Sequence, residues 1–216
     1  MHYQDSFDAL DEILQIGENL EVDLALQSGD LFHDLYPTHQ CICKTLRIFD
    51  SHVFGDKTHR FNYYPIEGVD SSYVNLLSGK MNVNLENKKV KLPIVGIHGN
   101  HDYPMKTLKD SAYEMLSITK CVTYIGRVHE LTNPVFKPTI FVRDGVALVV
   151  YGIGYIKDLT LLRILGSRQY TFEPVPDEII NKYRIFKVLL FHQNRYKVCI
   201  FFILGRCKRS TALCQV

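Results

Sequence analysis

The chain has 216 residues, 46% of them hydrophobic, with 25 Lys and Arg against 23 Asp and Glu for a net charge of +2. That composition can bury one sizeable core and excludes the global positive field of a strongly basic nucleic-acid binder, so any DNA-binding surface must be local. Six cysteines, at 41, 43, 121, 199, 207 and 214, include no CxxC pair, which argues against a zinc ribbon or a disulfide framework and for a reducing cytosol or nucleus.

In chain order, Phe7, Leu10, Ile13 and Leu14 share one helical face behind Ser6 as an N-cap, predicting an amphipathic helix to about Gly17. Val22 to Ser28 reads as a strand that ends in Gly29-Asp30. After Pro37, the spacing of Ile42, Leu46, Phe49 and Val53 predicts a second amphipathic helix, stopped by Gly55. Residues 56–91 are rich in Asn, Ser, Gly, Lys and Tyr without a period and read as irregular structure or a weak hairpin.

Pro93 to His98 is a short apolar strand closing in Gly99-Asn100-His101-Asp102, with a helix behind it marked by Leu108, Ala112, Met115 and Leu116. Val146 to Tyr151 and Lys187 to Phe191 are further strands, the second running into His192-Gln193. Strands alternating with helices predict an α/β layered core. The segment before Asp5 has no basic or apolar signal region, and the longest apolar run, Val198 to Leu204, is too short to span a bilayer. A soluble protein without membrane contact is therefore expected.

Three strands thus end in metal-competent groups: Asp30, Asn100 with His101, and His192. In α/β sheets ligands bind beyond the strand C-termini, so the three ends are expected to converge on one site. A carboxylate can bridge two divalent ions, while an amide oxygen and an imidazole complete their shells without repelling a phosphate. His101 is then available as general acid or as a donor to phosphate, with Asp102 as its orienting partner. Gly-Asp alone is a common turn, and one histidine after a strand is usually structural. Gly-Asn-His-Asp closing an apolar strand has no such packing rationale.

GDLFH at 29–33, GNHD at 99–102 and His192-Gln193-Asn194-Arg195 stand in the order found in calcineurin-like metallophosphoesterases. With DSFDALDEIL at 5–14, SGDLFHDLYPT at 28–38, IHGNHDYP at 97–104 and FHQNR at 191–195, the chain more narrowly resembles the double-strand-break repair nucleases of that superfamily, over about residues 3–196. The resemblance implies a layered sandwich of mixed sheets flanked by helices. It also implies a nuclear, manganese-dependent nuclease with 3′-to-5′ exonuclease and single-strand endonuclease activity. By matching position, Asp30 would bridge two Mn2+ ions, Asn100 and His192 would ligate, and His101 would assist catalysis, with His33 and Asp102 supporting them.

Implied partners are DNA, a coiled-coil SMC-like ATPase subunit, a third eukaryote-specific repair subunit, and a second copy through helices near 37–53 and 104–118. The excursion at 56–91 falls where eukaryotic members carry an insertion, which suits partner binding. The family's first strand, ending in Asp-x-His, and its later Gly-His-x-His have no counterpart, since Tyr196 to Val216 contains no histidine. The expectation is therefore a partial nuclease domain over 1–197, truncated at both ends, with an atypical tail at 198–216 and without capping or C-terminal DNA-binding domains.

With three metal-competent residues left, metal affinity should fall and the fragment should be inactive. Either a gene-model artefact or a genuine short form would account for the missing ligands. Two alternatives accompany the nuclease: a non-catalytic scaffold of the same complex, and a protein serine/threonine phosphatase. The phosphatases typically read GDxVDRG and GNHE, where this chain has GDLFHDL and GNHD.

Overall fold

The first helix, α1 (Tyr3–Asn19), starts ahead of the expected cap, so Ser6 lies inside it. The structure is a computed structural model that describes residues 3–57, 59–64, 89–104, 111–128, 130–193 and 211–214. Phe7 and Leu14 are buried and Leu10 packs against the core, whereas Ile13 is 64% exposed, so the buried stripe is narrower than its spacing predicts. Strand β1 (Ala25–Gln27) follows, then α2 (His39–Val53), capped by Thr38, whose Oγ1 accepts from Cys41 N at 3.2 Å. The helix ends where Phe54 turns extended and pairs with Val90, one residue before the expected Gly55 stop.

Within the excursion lies β2 (Asn62–Tyr64), and the expectation for 65–88 falls outside the described residues. Next come β3 (Ile94–Gly96), α3 (Ala112–Ile118) and β4 (Thr123–Tyr124). On α3, Ala112 and Leu116 are buried as expected, but Met115 is 45% exposed, and Leu108 lies outside the described residues. The second half adds β5 (Val135–Phe136), β6 (Pro138–Arg143), β7 (Val146–Ile153), α4 (Asp158–Ser167), β8 (Thr171–Phe172), α5 (Asp177–Lys182) and β9 (Arg184–Phe191). Strand β10 (Thr211–Cys214), within the segment whose composition reads as unlike a core strand, lies parallel to β9 as an edge.

Two main sheets face each other. The first is parallel with order β1-β3-β4, pairing Ala25 with Ile94 and Val95 with Thr123. The second is mixed with order β10-β9-β7-β6-β2; β7 and β9 run parallel from Val146↔Arg184 to Ile153↔Phe191. Strands β6 and β7 form a hairpin through Asp144-Gly145, both at positive φ (48° and 78°), the conformation that matches strand twist in a two-residue turn.

Period-2 alternation splits β7 between two cores. Leu148 and Val150 join Phe141 and Leu190 facing the parallel sheet and helices α1 to α3. Ala147, Val149, Tyr151 and Ile153 face α4 and α5 with Leu161, Ile164 and Ile179. The result is the expected α/β layered sandwich, helices outside and two sheets within, each buried Val, Leu or Ile contributing about 1.5–3 kcal/mol. Among the described residues no helix is long and apolar enough to cross a membrane.

Candidate metal centre

At one end of the sandwich the C-terminal ends of both sheets are tied together. Tyr155 N, after β7, donates to His98 O, after β3, at 3.2 Å; His192 N, after β9, donates to Ile153 O at 3.4 Å. His192 Nδ1 lies 2.8 Å from Ser28 O and so donates to it, joining β9 to β1. That bond fixes the tautomer: in the neutral ring Nε2 keeps its lone pair. Nε2 in turn lies 3.1 Å from Asn100 Oδ1 and 3.3 Å from Asp30 Oδ2. Three electron-pair donors from three strands of two sheets thus meet at one point, as the convergence of strand ends predicts.

The turns that deliver them are tight. Gly29 (φ 104°) and Asp30 (φ 53°) are consecutive left-handed residues, a conformation free for glycine and tolerated by aspartate. A methyl at Gly29 would stand 2.5 Å from His192 Nδ1, and one at Gly99 would stand 2.1 Å from Asp30 Oδ1, so neither position has room for a side chain. Asp30 Oδ1 accepts from His101 N at 2.9 Å, which holds the carboxylate between the two loops.

Asp102 differs from its expected place as the partner of the His101 ring. It is 1% exposed, and its carboxylate accepts from Leu31 N at 2.8 Å, Phe32 N at 3.3 Å and Gly99 N at 2.6 Å. It therefore clamps the Asp30 loop to the Asn100 loop through backbone. Burial raises its pKa above the ordinary carboxylate range, against the lowering effect of the three N–H groups, and the Asp30 charge raises it further. The His101 ring takes its partner elsewhere: Nδ1 is 2.7 Å from His33 O, and the two imidazoles stack at 5.0 Å and 16°.

Three residues that sequence reasoning left unassigned support the centre from behind. His98 is buried, with Tyr124 Oη donating to Nδ1 at 2.6 Å and Nε2 donating to Tyr155 O at 3.2 Å. Burial depresses it to about 4, so it is neutral at pH 7. Gln27 donates to Gly29 O and accepts from Tyr113 Oη, each at 2.8 Å. A glutamine directly after the apolar run Leu24 to Leu26 was a visible signal, whereas nothing in the sequence singles out Tyr113. On the far side, Gln193 Nε2 donates to Ile156 O at 2.8 Å and Asp158 Oδ1 at 2.6 Å, fastening the end of β9 to the start of α4.

Among the described residues no group of three or more His, Cys, Asp or Glu side chains is placed to hold a metal ion. The donor set reaches three only with the Asn100 amide oxygen. One carboxylate, one amide and one imidazole nitrogen, without thiolate, fit part of the shell of a hard or borderline divalent cation. They are too few to surround two.

No protein-family model matches the chain. Curated relatives do. The chain is 31% identical over 191 residues to the double-strand break repair protein MRE11 of Encephalitozoon cuniculi, covering 88% of this chain and 30% of that protein. It is 30% identical over 199 residues to the human protein of the same name, covering 89% of this chain and 27% of the relative. The Arabidopsis thaliana protein, also so named, is 32% identical over 204 residues, with 89% and 27% covered. The chain thus spans under a third of the length of the curated relatives it matches.

Proposed function

Given that this chain is an MRE11-like metallophosphoesterase, related along 89% of its length to proteins named for double-strand break repair, we propose that it is part of the manganese-dependent nuclease subunit of a repair complex. The activities in view are 3′-to-5′ exonuclease and single-strand endonuclease. The observation that carries this is the approach of His192 Nε2 to Asn100 Oδ1 and Asp30 Oδ2 within 3.3 Å, at the strand C-termini.

In this reading Asp30, Asn100 and His192 hold the metal, with Asp30 the residue able to reach a second ion. A divalent cation there supplies Lewis acidity toward a phosphoryl oxygen and a lowered pKa for bound water. His101, whose Nδ1 donates to His33 O, offers Nε2 to the phosphate or the leaving oxygen as a proton acceptor in the neutral ring and as a donor once the ring is an imidazolium. Asp102 keeps the loops in register. Partners are DNA, a coiled-coil SMC-type ATPase, a third eukaryote-specific subunit and a second copy through α2 and α3, in the nucleus.

Three donors should bind metal weakly and turn over slowly or not at all, which also supports a second reading, a non-catalytic scaffold of the same complex. The discriminating form is a chimera carrying this chain in place of the aligned 199 residues of the human relative. Nuclease function predicts Mn2+-dependent cleavage of single-stranded DNA, lost in Asp30→Ala and His101→Ala. Metal binding with no cleavage would favour the scaffold, and turnover of phosphoserine peptide in place of DNA would identify a phosphatase.

A further inference from the structure

The carbonyl of Gly29 sits inside the left-handed Gly29-Asp30 turn, so whatever holds that carbonyl sets where the carboxylate points. Gln27 Nε2 holds it at 2.8 Å. The Gln27 amide is itself oriented, because its Oε1 accepts from Tyr113 Oη at 2.8 Å. Tyr113 is fully buried and its phenol is held well above its ordinary range, first by burial and then by the Asp102 and Tyr124 charges, so it stays a donor at every working pH. Gly96 leaves the hydroxyl its space: a methyl there would lie 1.9 Å from Tyr113 Oη and 3.0 Å from Gln27 Oε1.

A glutamine beside a turn could have either amide end forward. Here the donor end must face Gly29, whose carbonyl can only accept, and the Tyr113 hydroxyl satisfies the acceptor end that this leaves behind. We infer that Tyr113 and Gln27 form a positioning relay, reaching from the core of α3 through the end of β1, that fixes the Gly29-Asp30 turn for metal binding. The inference rests on the proposed role of Asp30 in the metal centre. Neither residue touches the metal point; both act through backbone. Asp30 occupies a left-handed conformation that strains an L-residue, so without the relay the turn is free to relax away from it.

The test is a titration of the whole chain with Mn2+, following paramagnetic broadening of its histidine imidazole resonances, which detects weak as well as tight binding. Tyr113→Phe removes only the hydroxyl. Gln27→Glu keeps an acceptor for Tyr113 but presents an oxygen to the Gly29 carbonyl. Both should weaken Mn2+ binding about tenfold, the lower range for loss of groups behind metal ligands. Leu116→Ala, a buried position on the same helix at 1% exposure, should lower the melting temperature and leave Mn2+ affinity unchanged.

Wild-type binding with both relay variants weakened and Leu116→Ala unweakened supports the relay. Wild-type binding matched by Tyr113→Phe and Gln27→Glu, or loss in Leu116→Ala as large as theirs, overturns the relay and leaves the metal centre standing. Absence of any Mn2+-dependent broadening in the wild-type chain overturns the metal centre and the relay together.

Discussion

Replacing Asp102 by Leu, a side chain of similar size without acceptors, should separate the two loops of the site. Three backbone N–H groups, of Leu31, Phe32 and Gly99, would lose their common acceptor. Each buried donor left unsatisfied costs about 1–3 kcal/mol. Removing the carboxylate also removes a buried charge, and burial is the largest influence on this group, so part of the loss is returned. The net is about 3 kcal/mol, or roughly 6–12 °C of melting temperature at this chain length. Asp102→Asn keeps one acceptor oxygen, relieves the buried charge and turns an NH2 toward one N–H, so its cost should be smaller, about 1 kcal/mol. Melting followed by circular dichroism, with urea unfolding as a second measure, reads both. A Leu variant within about 2 °C of wild type, or an Asn variant more damaging than Leu, would refute the clamp.

Acid should destabilise the metal-free protein through His98. Its folded pKa is depressed to about 4 against 6.5, so its contribution is present above 6.5 and is lost as pH falls from there toward 4. The loss should approach about 3 kcal/mol, and urea unfolding at stepped pH in EDTA should show it in the wild type but not in His98→Gln; equal slopes would contradict it. On assembly, the apolar faces of α2 and α3 largely cover the sheet, burying Phe49, Val53, Ala112 and Leu116, but Met115 and Ile118 remain 45% and 48% exposed. If α2 and α3 carry a dimer contact, Met115→Asp with Ile118→Asp should turn a dimer into a folded monomer in sedimentation; a wild-type monomer would remove that proposal.

Elements dominated by one strong local signal were legible in the sequence. The strand leading to Gly29-Asp30, the strand leading to Gly99 and the strand leading to His192 are short apolar runs closed by polar groups; parallel pairing brings the first two ends together, and the facing sheet delivers the third. Less legible was what depends on contacts distant in the chain. Ile13 shares the periodicity of Phe7 and Leu14, yet the core reaches only part of that face. The hairpin β6-β7 lies outside the strands read from the sequence, although Asp144-Gly145 between two apolar runs is a strong turn signal. Asp102 departs from expectation for a physical reason: adjacency to His101 suggests a ring partner, but the tight loop turns its carboxylate toward three backbone N–H groups. Helices α4 and α5 cover the outer face of the mixed sheet, and their lining becomes visible only once β7 and β9 are paired.

In the proposed centre Asp30, Asn100 and His192 hold a divalent cation and His101 does not. Electron spin-echo envelope modulation on Mn2+ bound to protein labelled with 15N in histidine reads this ligation directly, because a coordinated imidazole nitrogen modulates the echo. The expected result is 15N modulation in the wild-type chain, its loss in His192→Gln, loss of bound Mn2+ in Asp30→Ala, and retention of both metal and modulation in His101→Ala. Modulation that survives His192→Gln and disappears in His101→Ala would contradict it.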